Sequence, residues 1–329
     1  MKKSIKELQS LSLKILSSKY SAEHAQLIAD SLLYSQMSER ETHGFVRLLK
    51  KRFGPMDEFP EGEIEVHNVS PNISRISSKG YPGYLLSELA TKETLKNVKT
   101  SGMAMTAFVG NKSTSGYLSK YLREIADNGY VGIMLSNCAP FVSPAGGKKR
   151  LLGTNPIGFS IPSADSPSLV VDFGTSKISF GEAAMAAEKG IPLTENGAQD
   201  SQGNFTQNPS ELFHGGSLLP FGEHKGFALS LIIEMICGPM LGASPSGIDP
   251  EKGWGNLQIA FDPTLLGGSL EDSSTLIKHF LSDESTVESF RLPGFQSYER
   301  YLSSKKEGML NIDESIFTQI QTLANSIAE

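Results

Sequence analysis

The sequence is poor in cysteine and has no excess of basic residues. Of its 329 residues only Cys138 and Cys237 are cysteines, and they lie far apart, each in an apolar stretch. Cysteines of this kind are typical of reduced core residues in a cytoplasmic protein rather than of a disulfide framework. The formal net charge of −6 offers no positive surplus to a phosphate backbone, so nucleic acid is not an expected partner. The apolar content of 39% is that of a globular chain with a substantial core.

Long apolar runs are lacking as well. The first leucines of the chain are interleaved with charged residues such as Glu7 and Lys14, so they do not form the apolar segment of a signal peptide. The most apolar stretch, 227–243, contains Glu234 and Pro239 and is shorter than the roughly 20 residues that cross a bilayer. We therefore expect a buried helix there, no membrane partner and a cytoplasmic location.

Several signatures of nucleotide binding and catalysis are absent. The chain has no G-x-G-x-x-G between a strand and a helix, no G-x-x-x-x-G-K-[ST], no G-x-S-x-G and no H-E-x-x-H. Its six histidines are not paired at the spacing of metal ligands on one helix, so we expect no metal site. A nicotinamide cofactor would have to be held by a fold other than the doubly wound dinucleotide domain.

Hydrophobic periodicity predicts a mixed α/β fold. Apolar residues recur at helical spacing through most of the first fifty residues, and again at about 84–99, 115–128, 180–189, 226–238, 273–282, 298–307 and 314–329. Short apolar or alternating runs between turn residues predict strands at about 64–66, 73–76, 103–109, 132–136, 158–161, 169–172 and 257–261.

The first candidate site combines His43 with Arg47, four residues further on. On a helix beginning near Thr42 these two side chains share a face, while Phe45 points toward the core. An arginine grips a carboxylate through two parallel hydrogen bonds, and an adjacent imidazole exchanges a proton with the neighbouring oxygen or nitrogen. The alternative that these residues leave open is an exposed, charged helix start with a solvated histidine.

Two further segments have the composition of ligand-binding loops. The stretch 146–156 is rich in glycine and contains an Asn-Pro turn, so its main-chain amides can face a ligand, although an ordinary connection has the same composition. The stretch 219–226 brings His224 and Lys225 to the start of an apolar helix. Unpaired amides and the positive end of the helix dipole favour a cofactor phosphate there, and a solvated helix cap is the alternative.

Together these segments resemble the malate/lactate dehydrogenase family of the second, non-Rossmann type, over almost the whole chain. Relatives in that family include ureidoglycolate dehydrogenase, sulfolactate dehydrogenase, diketogulonate reductase and the piperideine- and pyrroline-carboxylate reductases. The stretches that carry the resemblance are T-H-G-x-x-R at 42–47, L-L-G-T-N-P at 151–156, D-F-G-T-S at 172–176, A-Q-D at 198–200 and G-G-S-L-L-P-F-G-x-H-K-G at 215–226. Their order and spacing make the resemblance specific.

The resemblance implies an oxidoreductase that transfers a hydride between NAD or NADP and a small 2-oxo or 2-hydroxy acid or a cyclic imino acid. His43 would donate and accept the proton, with Thr42 in the place of a serine and Asp200 completing a relay. The substrate side would include Arg47, Thr154, Phe180 and Gly181. The cofactor side would include Thr114, Ser115, Gly116, Asp172, Gly174, Thr175, His224, Lys225 and Gly294.

The resemblance also implies two domains with different functions. Residues 111–269 would form a mixed α/β, non-Rossmann sheet domain for the cofactor. Residues 1–110, completed by 270–329, would form a helical and β domain for substrate binding and dimerisation. The family further implies a homodimer with its active site near the subunit junction and a small molecule as substrate.

Three positions depart from the family's pattern. Thr114 stands where a histidine usually touches the cofactor, and Phe295 replaces a glutamate after Gly294. Phe180 stands where an arginine usually anchors the substrate. Because this exchange removes a carboxylate anchor and adds apolar surface, we expect a substrate with one carboxylate fewer or with an apolar group there, and malate and other diacids are disfavoured.

These departures leave room for a second hypothesis. A diverged, catalytically altered or silent relative would bind a small molecule or assist another enzyme without transferring a hydride. The presence of His43, Arg47 and Asp200 favours the enzyme, because a silent scaffold has no physical need for an acid, an anchor and an orienting carboxylate.

Overall fold

The computed structural model describes residues 1–194, 196–282 and 291–327. Its helices are α1 Ile5–Ser17, α2 Ala22–Met37, α3 Gly83–Ser101, α4 Leu118–Asp127, α5 Phe180–Lys189, α6 His224–Cys237, α7 Leu270–Ser282, α8 Phe295–Glu307 and α9 Glu314–Ser326. Its strands are β1 Lys2–Ser4, β2 Glu61–Ser70, β3 Ile73–Lys79, β4 Met103–Asn111, β5 Val131–Ser136, β6 Ile157–Ile161, β7 Leu169–Phe173, β8 Ala198–Gln199, β9 Phe205–Thr206, β10 Ser217–Leu218, β11 Trp254–Phe261 and β12 Met309–Asn311. The predicted mixed α/β fold is confirmed.

A seven-stranded sheet in the order β2-β3-β4-β11-β5-β6-β7 runs through the molecule. Strands β3 and β4 are parallel, and the other neighbours in this sheet are antiparallel. Successive strand residues point to opposite faces, so Met134 packs with Leu122 of α4, whereas Leu135 packs with Ile233 of α6. Helices α3 and α4 therefore cover one face of the sheet, and α6 covers part of the other.

The two ends of the chain come together in a helical core. Strand β1 pairs antiparallel with β12, and Leu8 of α1, Ile28 of α2 and Ile320 of α9 are at most 1% exposed. Strands β2, β3 and β4 nevertheless belong to the same sheet as β11 and β5. The domain boundary expected at residue 110 thus runs through one continuous sheet, and the division into two domains stays a prediction.

The helix predicted to begin near Thr42 is instead a pair of 3-10 turns, Glu41–His43 and Phe45–Leu48, separated at Gly44. Gly44, with φ −87° and ψ −148°, ends the first turn. It lies against α2, where a Cβ would be 2.3 Å from Oε1 of Gln36, so this close approach requires a glycine. The paired strands β1, β8, β9, β10 and β12 were not predicted either, because two or three residues are too few to show a period.

Helix α6 is only partly buried, although its apolar sequence predicted a buried helix. Ile233 and Cys237 pack against the sheet. The other side is exposed and carries Ala228, Leu231, Ile232 and Met235. Within the described residues the stretch 224–241 is long and apolar enough to span a membrane by composition, and 33% of it is buried. Composition alone does not distinguish a helix buried on all sides from one with an apolar outer face.

A buried ion pair joins α3 to α4. The carboxylate of Glu88, which is 4% exposed, accepts hydrogen bonds from Nζ of Lys120 and from Oγ of Ser31 in α2. Because water is largely excluded, the charge of Glu88 depends on these two partners.

Replacement of Lys120 by methionine is expected to lower the free energy of unfolding by about 3–5 kcal/mol, because Glu88 would be buried without its cation. Urea denaturation followed by circular dichroism measures the loss. The matched control is Lys96→Met, whose exposed pair with Glu93 at 3.1 Å contributes less than about 1 kcal/mol. Equal losses in the two variants would contradict this account of the pair.

Candidate active site

A cavity of about 360 Å³ opens where the segment after α2 meets the start of α4, the end of β5 and the start of α5. The predicted site residues that line it are Thr42, His43, Arg47, Thr114, Ser115, Gly116, Thr154, Asp172, Gly174, Phe180 and Gly181. Segments far apart in the sequence therefore line the same cavity.

His43 carries a neutral imidazole into this cavity. Its backbone carbonyl accepts a hydrogen bond from Oη of Tyr84 at 2.8 Å, and its Nδ1 lies 3.1 Å from Oγ1 of Thr42. Burial, reinforced by the positive charges of Arg47 and Arg40, lowers the pKa of His43 to about 3. The ring is thus uncharged at neutral pH, and among the described residues its Nε2 has no hydrogen-bond partner.

Arg47 places a buried positive charge next to His43. The residue is 9% exposed, its Nε donates to the carbonyl of Thr42 at 2.5 Å, and its Nη1 donates to the carbonyl of Arg52. No carboxylate in the described part of the chain forms an ion pair with it. A buried guanidinium with only neutral partners favours an anion at its remaining edge.

Gly181 allows α5 to approach this pair. A Cβ at this position would lie 2.9 Å from Cβ of Thr42 and 3.4 Å from Nη2 of Arg47. Any larger residue would push the start of the helix away from Thr42, so Gly181 shapes the cavity by leaving space.

The turn that follows Arg47 directs an aromatic ring into the cavity. Lys51 and Phe53 have φ values of 62° and 52°, in the left-handed region that costs non-glycine residues free energy. The carboxylate of Asp57 stabilises the turn by accepting hydrogen bonds, 2.6 to 3.1 Å long, from the amides of Lys51, Arg52 and Gly54. The turn thereby places Phe53 in the cavity wall.

A second wall is polar. Oδ2 of Asp172, at the end of β7, accepts a hydrogen bond of 3.0 Å from the amide of Ser119 in the first turn of α4. Burial raises the pKa of Asp172, against the hydrogen bonds from Ser119 and the charge of Arg40. Oγ1 of Thr114 accepts from the amide of Gly116 at 3.2 Å. This wall therefore offers hydroxyl and carboxylate groups to a ligand.

Thr154 is held in place by Thr175. The amide and Oγ1 of Thr175 donate to the carbonyl of Thr154 at 2.8 and 3.0 Å. Thr175 is itself fully buried, so it supports the cavity wall and does not line it. Oγ1 of Thr154 lies 3.5 Å from Sγ of Cys138. Both cysteines are free, but Cys138, predicted to be a core residue, lines the cavity, whereas Cys237 is buried.

Helix α6 anchors the loop that carries Thr154. The Nδ2 atoms of Asn155 and Asn137 donate to the carboxylate of Glu234 at 2.8 and 2.9 Å. The amide of Ser246 donates to the same carboxylate at 2.7 Å. This buried group is stabilised by hydrogen bonds from neutral donors, and it fixes two cavity segments on the sheet.

Asp200 does not reach His43 within one chain. Its carboxylate accepts hydrogen bonds from the amides of Gln202 and Asn204 at 2.8 and 2.9 Å, and from Nδ2 of Asn204 at 3.1 Å. These bonds hold the turn between β8 and β9 and lower the pKa of Asp200. The relay expected from the sequence is therefore not formed in the single chain, because local amides occupy the carboxylate.

His224, Lys225 and Gly294 also lie outside the cavity wall. The first two are exposed at the start of α6. The segment before them adjoins the cavity, since the amide of Phe221 donates to the carbonyl of Thr175 at 3.0 Å. At Gly294 a Cβ would lie 1.8 Å from the carbonyl oxygen of Val170. This glycine is thus required by the turn into α8, which packs on β7.

The cavity also contains residues that the sequence analysis missed: Arg40, Phe53, Cys138, Phe141, Lys177 and Trp254. The proximity of Arg40 to His43 was a usable signal, whereas the aromatic residues come from separate loops and have no common pattern. Across the described ranges, no group of three His, Cys, Asp or Glu side chains is arranged to hold a metal ion.

Comparison with known proteins places this geometry in a family. The family model described as malate/L-lactate dehydrogenase matches residues 4–321. The chain belongs to the malate/L-lactate dehydrogenase family. The family predicted from the sequence motifs is thereby confirmed, and the chain is a dehydrogenase or reductase of this family's second type.

Named relatives of this dehydrogenase family match nearly the whole chain. The malate/(S)-sulfolactate dehydrogenase of Methanothermus fervidus is 29% identical over 98% of this chain and 96% of its own. The Delta(1)-pyrroline-2-carboxylate/Delta(1)-piperideine-2-carboxylate reductase of Pseudomonas aeruginosa is 28% identical over 96% and 97%. The crystal structure of delta1-piperideine-2-carboxylate reductase from Pseudomonas syringae pvar. tomato superposes with a TM-score of 0.85 and 26% identity, covering 98% of this chain and 99% of that one.

The lowered pKa of His43 predicts a specific loss of stability in acid. Because the native pKa of about 3 lies below the ordinary value of 6.5, only the unfolded chain binds a proton at His43 between these pH values. Stability is then lost as the pH falls from about 6.5 towards 3, by at most about 1.4 kcal/mol per pH unit for this group. The free energy of unfolding of His43→Gln, measured in urea at about pH 7 and pH 5, should fall less than that of the wild type.

The control is His67→Gln, since His67 is an exposed histidine on β2 whose Nε2 lies 3.1 Å from Glu65. The loss of stability that His43 causes between pH 7 and pH 5 should remain in this variant. If the free energy of unfolding fell equally with pH in the wild type and in His43→Gln, the lowered pKa of His43 would be contradicted.

Proposed function

We propose that this protein transfers a hydride between NAD or NADP and a small 2-oxo or 2-hydroxy acid or a cyclic imino acid. The observation that carries the proposal is the shared cavity of His43 and Arg47, a neutral imidazole beside a buried guanidinium that has no carboxylate partner among the described residues. The relatives named for sulfolactate and for pyrroline-2-carboxylate support both a carbonyl and an imine as the reacting group.

The two side chains have complementary tasks in the proposed reaction. Arg47 binds the substrate carboxylate through the free edge of its guanidinium, and Thr154 lines the same cavity. A nicotinamide bound in the cavity would supply the hydride for reduction or take it up in oxidation. In reduction Nε2 of His43 gives a proton to the oxygen or nitrogen whose carbon gains the hydride, and in oxidation it accepts that proton.

The charge state of His43 follows from its burial and its neighbours. In the free protein burial, reinforced by the charges of Arg47 and Arg40, keeps the imidazole neutral, which suits the acceptance of a proton from a 2-hydroxy acid. A substrate carboxylate at Arg47 would offset that positive charge and raise the pKa of His43, so that reduction begins with proton uptake. Since Asp200 is engaged in its own turn, we assign proton transfer to His43 with Thr42 alone.

The polar wall fits the nicotinamide half of the cofactor. Thr114, Ser115 and Asp172 provide hydroxyl and carboxylate groups along the cavity, which are suitable partners for a carboxamide and for ribose hydroxyls. Lys177 lines the same cavity, and its amide donates to the carbonyl of Leu219 at 2.8 Å. This contact ties the wall to the segment before α6. His224 and Lys225, at the start of that helix, are the residues that would meet the cofactor phosphates.

We place the enzyme in the cytoplasm as a homodimer. Two free cysteines suit a reducing compartment. A second copy of the chain is the proposed cover for the exposed apolar face of α6. On the same face of the sheet Ile157 packs with Ile233, and the two-residue period extends this face to Phe159 and Ile161, which are 38% and 37% exposed. Apolar surface of this extent is typical of a protein contact.

The dimer proposal predicts that Ile232→Glu separates the subunits, because the new charge would be buried without a partner. Sedimentation velocity should give a mass near twice 35.6 kDa for the wild type and near 35.6 kDa for the variant. The control Leu266→Glu alters a residue that is 80% exposed and should remain dimeric. A monomeric wild type would contradict the proposal.

The proton-transfer role predicts that His43→Ala lowers turnover by about 10²–10⁴-fold, the usual contribution of general acid catalysis. Titration with NADH and NADPH, followed by nicotinamide fluorescence, should show that the variant still binds the cofactor. His67→Ala removes an exposed histidine and should retain full turnover. A loss below about tenfold in His43→Ala would exclude this role, and absence of cofactor binding in the wild type would favour a silent relative.

A further inference from the structure

We propose that the substrate is a monocarboxylate with a bulky apolar side chain, best represented by an aromatic 2-oxo acid, which packs against a ring cluster formed by Phe53, Phe141, Phe180 and Trp254. This inference rests on the proposed function and specifies its substrate class. The presence of Phe180 in place of the family's arginine predicts only a less anionic or more apolar substrate. The present inference is more specific, because four rings from four separate segments take part.

The rings form one continuous apolar wall in the cavity of His43 and Arg47. Phe141 and Phe180 are stacked, with centroids 3.8 Å apart and planes inclined by 18°. The ring of Phe53 meets both edge-on, at 5.7 and 6.0 Å. Trp254 extends the wall, with its centroid 6.1 Å from that of Phe53. Edge-on and stacked contacts are the arrangements in which a further aromatic ring is stabilised.

These rings are not fully buried. All four residues are partly exposed, although aromatic side chains contribute most when water is removed from them. A substrate side chain that displaced water from this wall would gain binding energy in proportion to its apolar area. A methyl group covers little of this wall, whereas a phenyl ring covers much more.

Local structure fixes two of the rings. Phe53 lies in the left-handed turn that Asp57 stabilises. Phe180 is the first residue of α5, directly after the cap in which Ser179 and Glu182 exchange two hydrogen bonds of 2.8 and 3.1 Å. Strained backbone retained beside a cavity is a sign of a functional constraint. Here the constraint is the position of an apolar ring.

Charges near the ring cluster match one carboxylate. Three cations line the cavity. Arg47 is buried beside His43, Arg40 donates from Nη2 to Oγ of Ser297 at 3.0 Å, and Lys177 is exposed. Arg40 also faces Asp172, where its charge opposes the rise in pKa that burial causes. A second substrate carboxylate placed against the rings would lose its water to apolar side chains, while the buried Arg47 is occupied by the first carboxylate. Oxaloacetate and other short diacids should therefore be poor substrates.

A second cavity, of about 640 Å³, shares Phe53 and Phe180 with the first. Its lining combines the apolar side chains of Ala184, Met185 and Phe213 with charged residues, among them Arg52 and Glu188, which form an ion pair. Side chains longer than one carbon have room to extend in this direction.

The test is a comparison of kcat/KM for phenylpyruvate, pyruvate, oxaloacetate and piperideine-2-carboxylate, with NADH and with NADPH. Phenylpyruvate should exceed pyruvate by at least about tenfold and oxaloacetate by at least about 100-fold, the scale on which apolar contacts and unpaired polar groups discriminate. Turnover of pyruvate or oxaloacetate at rates equal to or above that of phenylpyruvate would overturn the inference.

The substitution Phe180→Arg replaces an apolar ring of the wall with a positive charge. It should lower the ratio of kcat/KM for phenylpyruvate over oxaloacetate by at least about 100-fold, with the larger part of the change in KM. Phe205→Arg is the matched control, because Phe205 is 70% exposed and lies outside both cavities, and its ratio should equal that of the wild type. If Phe180→Arg does not fold, Phe141→Leu gives the same test, with a lowered ratio of kcat/KM for phenylpyruvate over pyruvate.

Failure of this inference is distinguishable from failure of the proposed function. Turnover of piperideine-2-carboxylate or pyruvate without any advantage for phenylpyruvate overturns the substrate class alone. No turnover of the four acids with either cofactor overturns the proposed function, and the substrate class with it. An unchanged substrate ratio in folded Phe180→Arg removes the ring cluster from substrate selection.

Discussion

Arg47 is the side chain on which the rest of the candidate site depends. Its guanidinium is buried, and its partners are the neutral carbonyls of Thr42 and Arg52. These two hydrogen bonds fold the backbone back on itself, so that His43 and the turn carrying Phe53 face the same space. Because backbone carbonyls solvate the positive charge without cancelling it, the charge remains available to a substrate anion. One residue thus determines the local fold and the preference for a carboxylate.

The sheet and α6 hold the opposite side of the cavity, which includes the loop with Thr154. Glu234 of α6 has no cationic partner among the described residues, yet it is satisfied by Asn137, Asn155 and Ser246. Such a network is stable only when each member is paired, and it fixes the loop with Thr154 against the sheet. The inner side of α6 therefore supports the cavity, while its outer side leaves Leu231, Ile232 and Met235 exposed. The dimer that we propose would cover these exposed residues.

The cavity has three kinds of wall with separate tasks. The His43 and Arg47 side provides charge and a titratable ring, the Asp172 side provides polar groups, and the Phe141–Phe180 stack provides apolar area. The family and the mixed α/β fold could be predicted from the sequence, because motif order and hydrophobic periodicity are local properties of a chain. Most predicted site residues line the cavity. The aromatic wall could not be predicted, since its rings come from loops that share no spacing and meet only after folding.

The longer helices and strands, the family, and the candidate roles of His43 as proton carrier and Arg47 as anchor could be inferred from the sequence. Each of these inferences uses hydrophobic periodicity or short motifs, which are read from residues close together in the sequence. Tertiary structure alone decided that His43 is neutral, because its pKa depends on burial and on charges brought near it. It also decided that the carboxylate of Asp200 is occupied by its own turn. Burial and the competition between hydrogen-bond partners are properties of three-dimensional packing, and spacing along the sequence does not encode them.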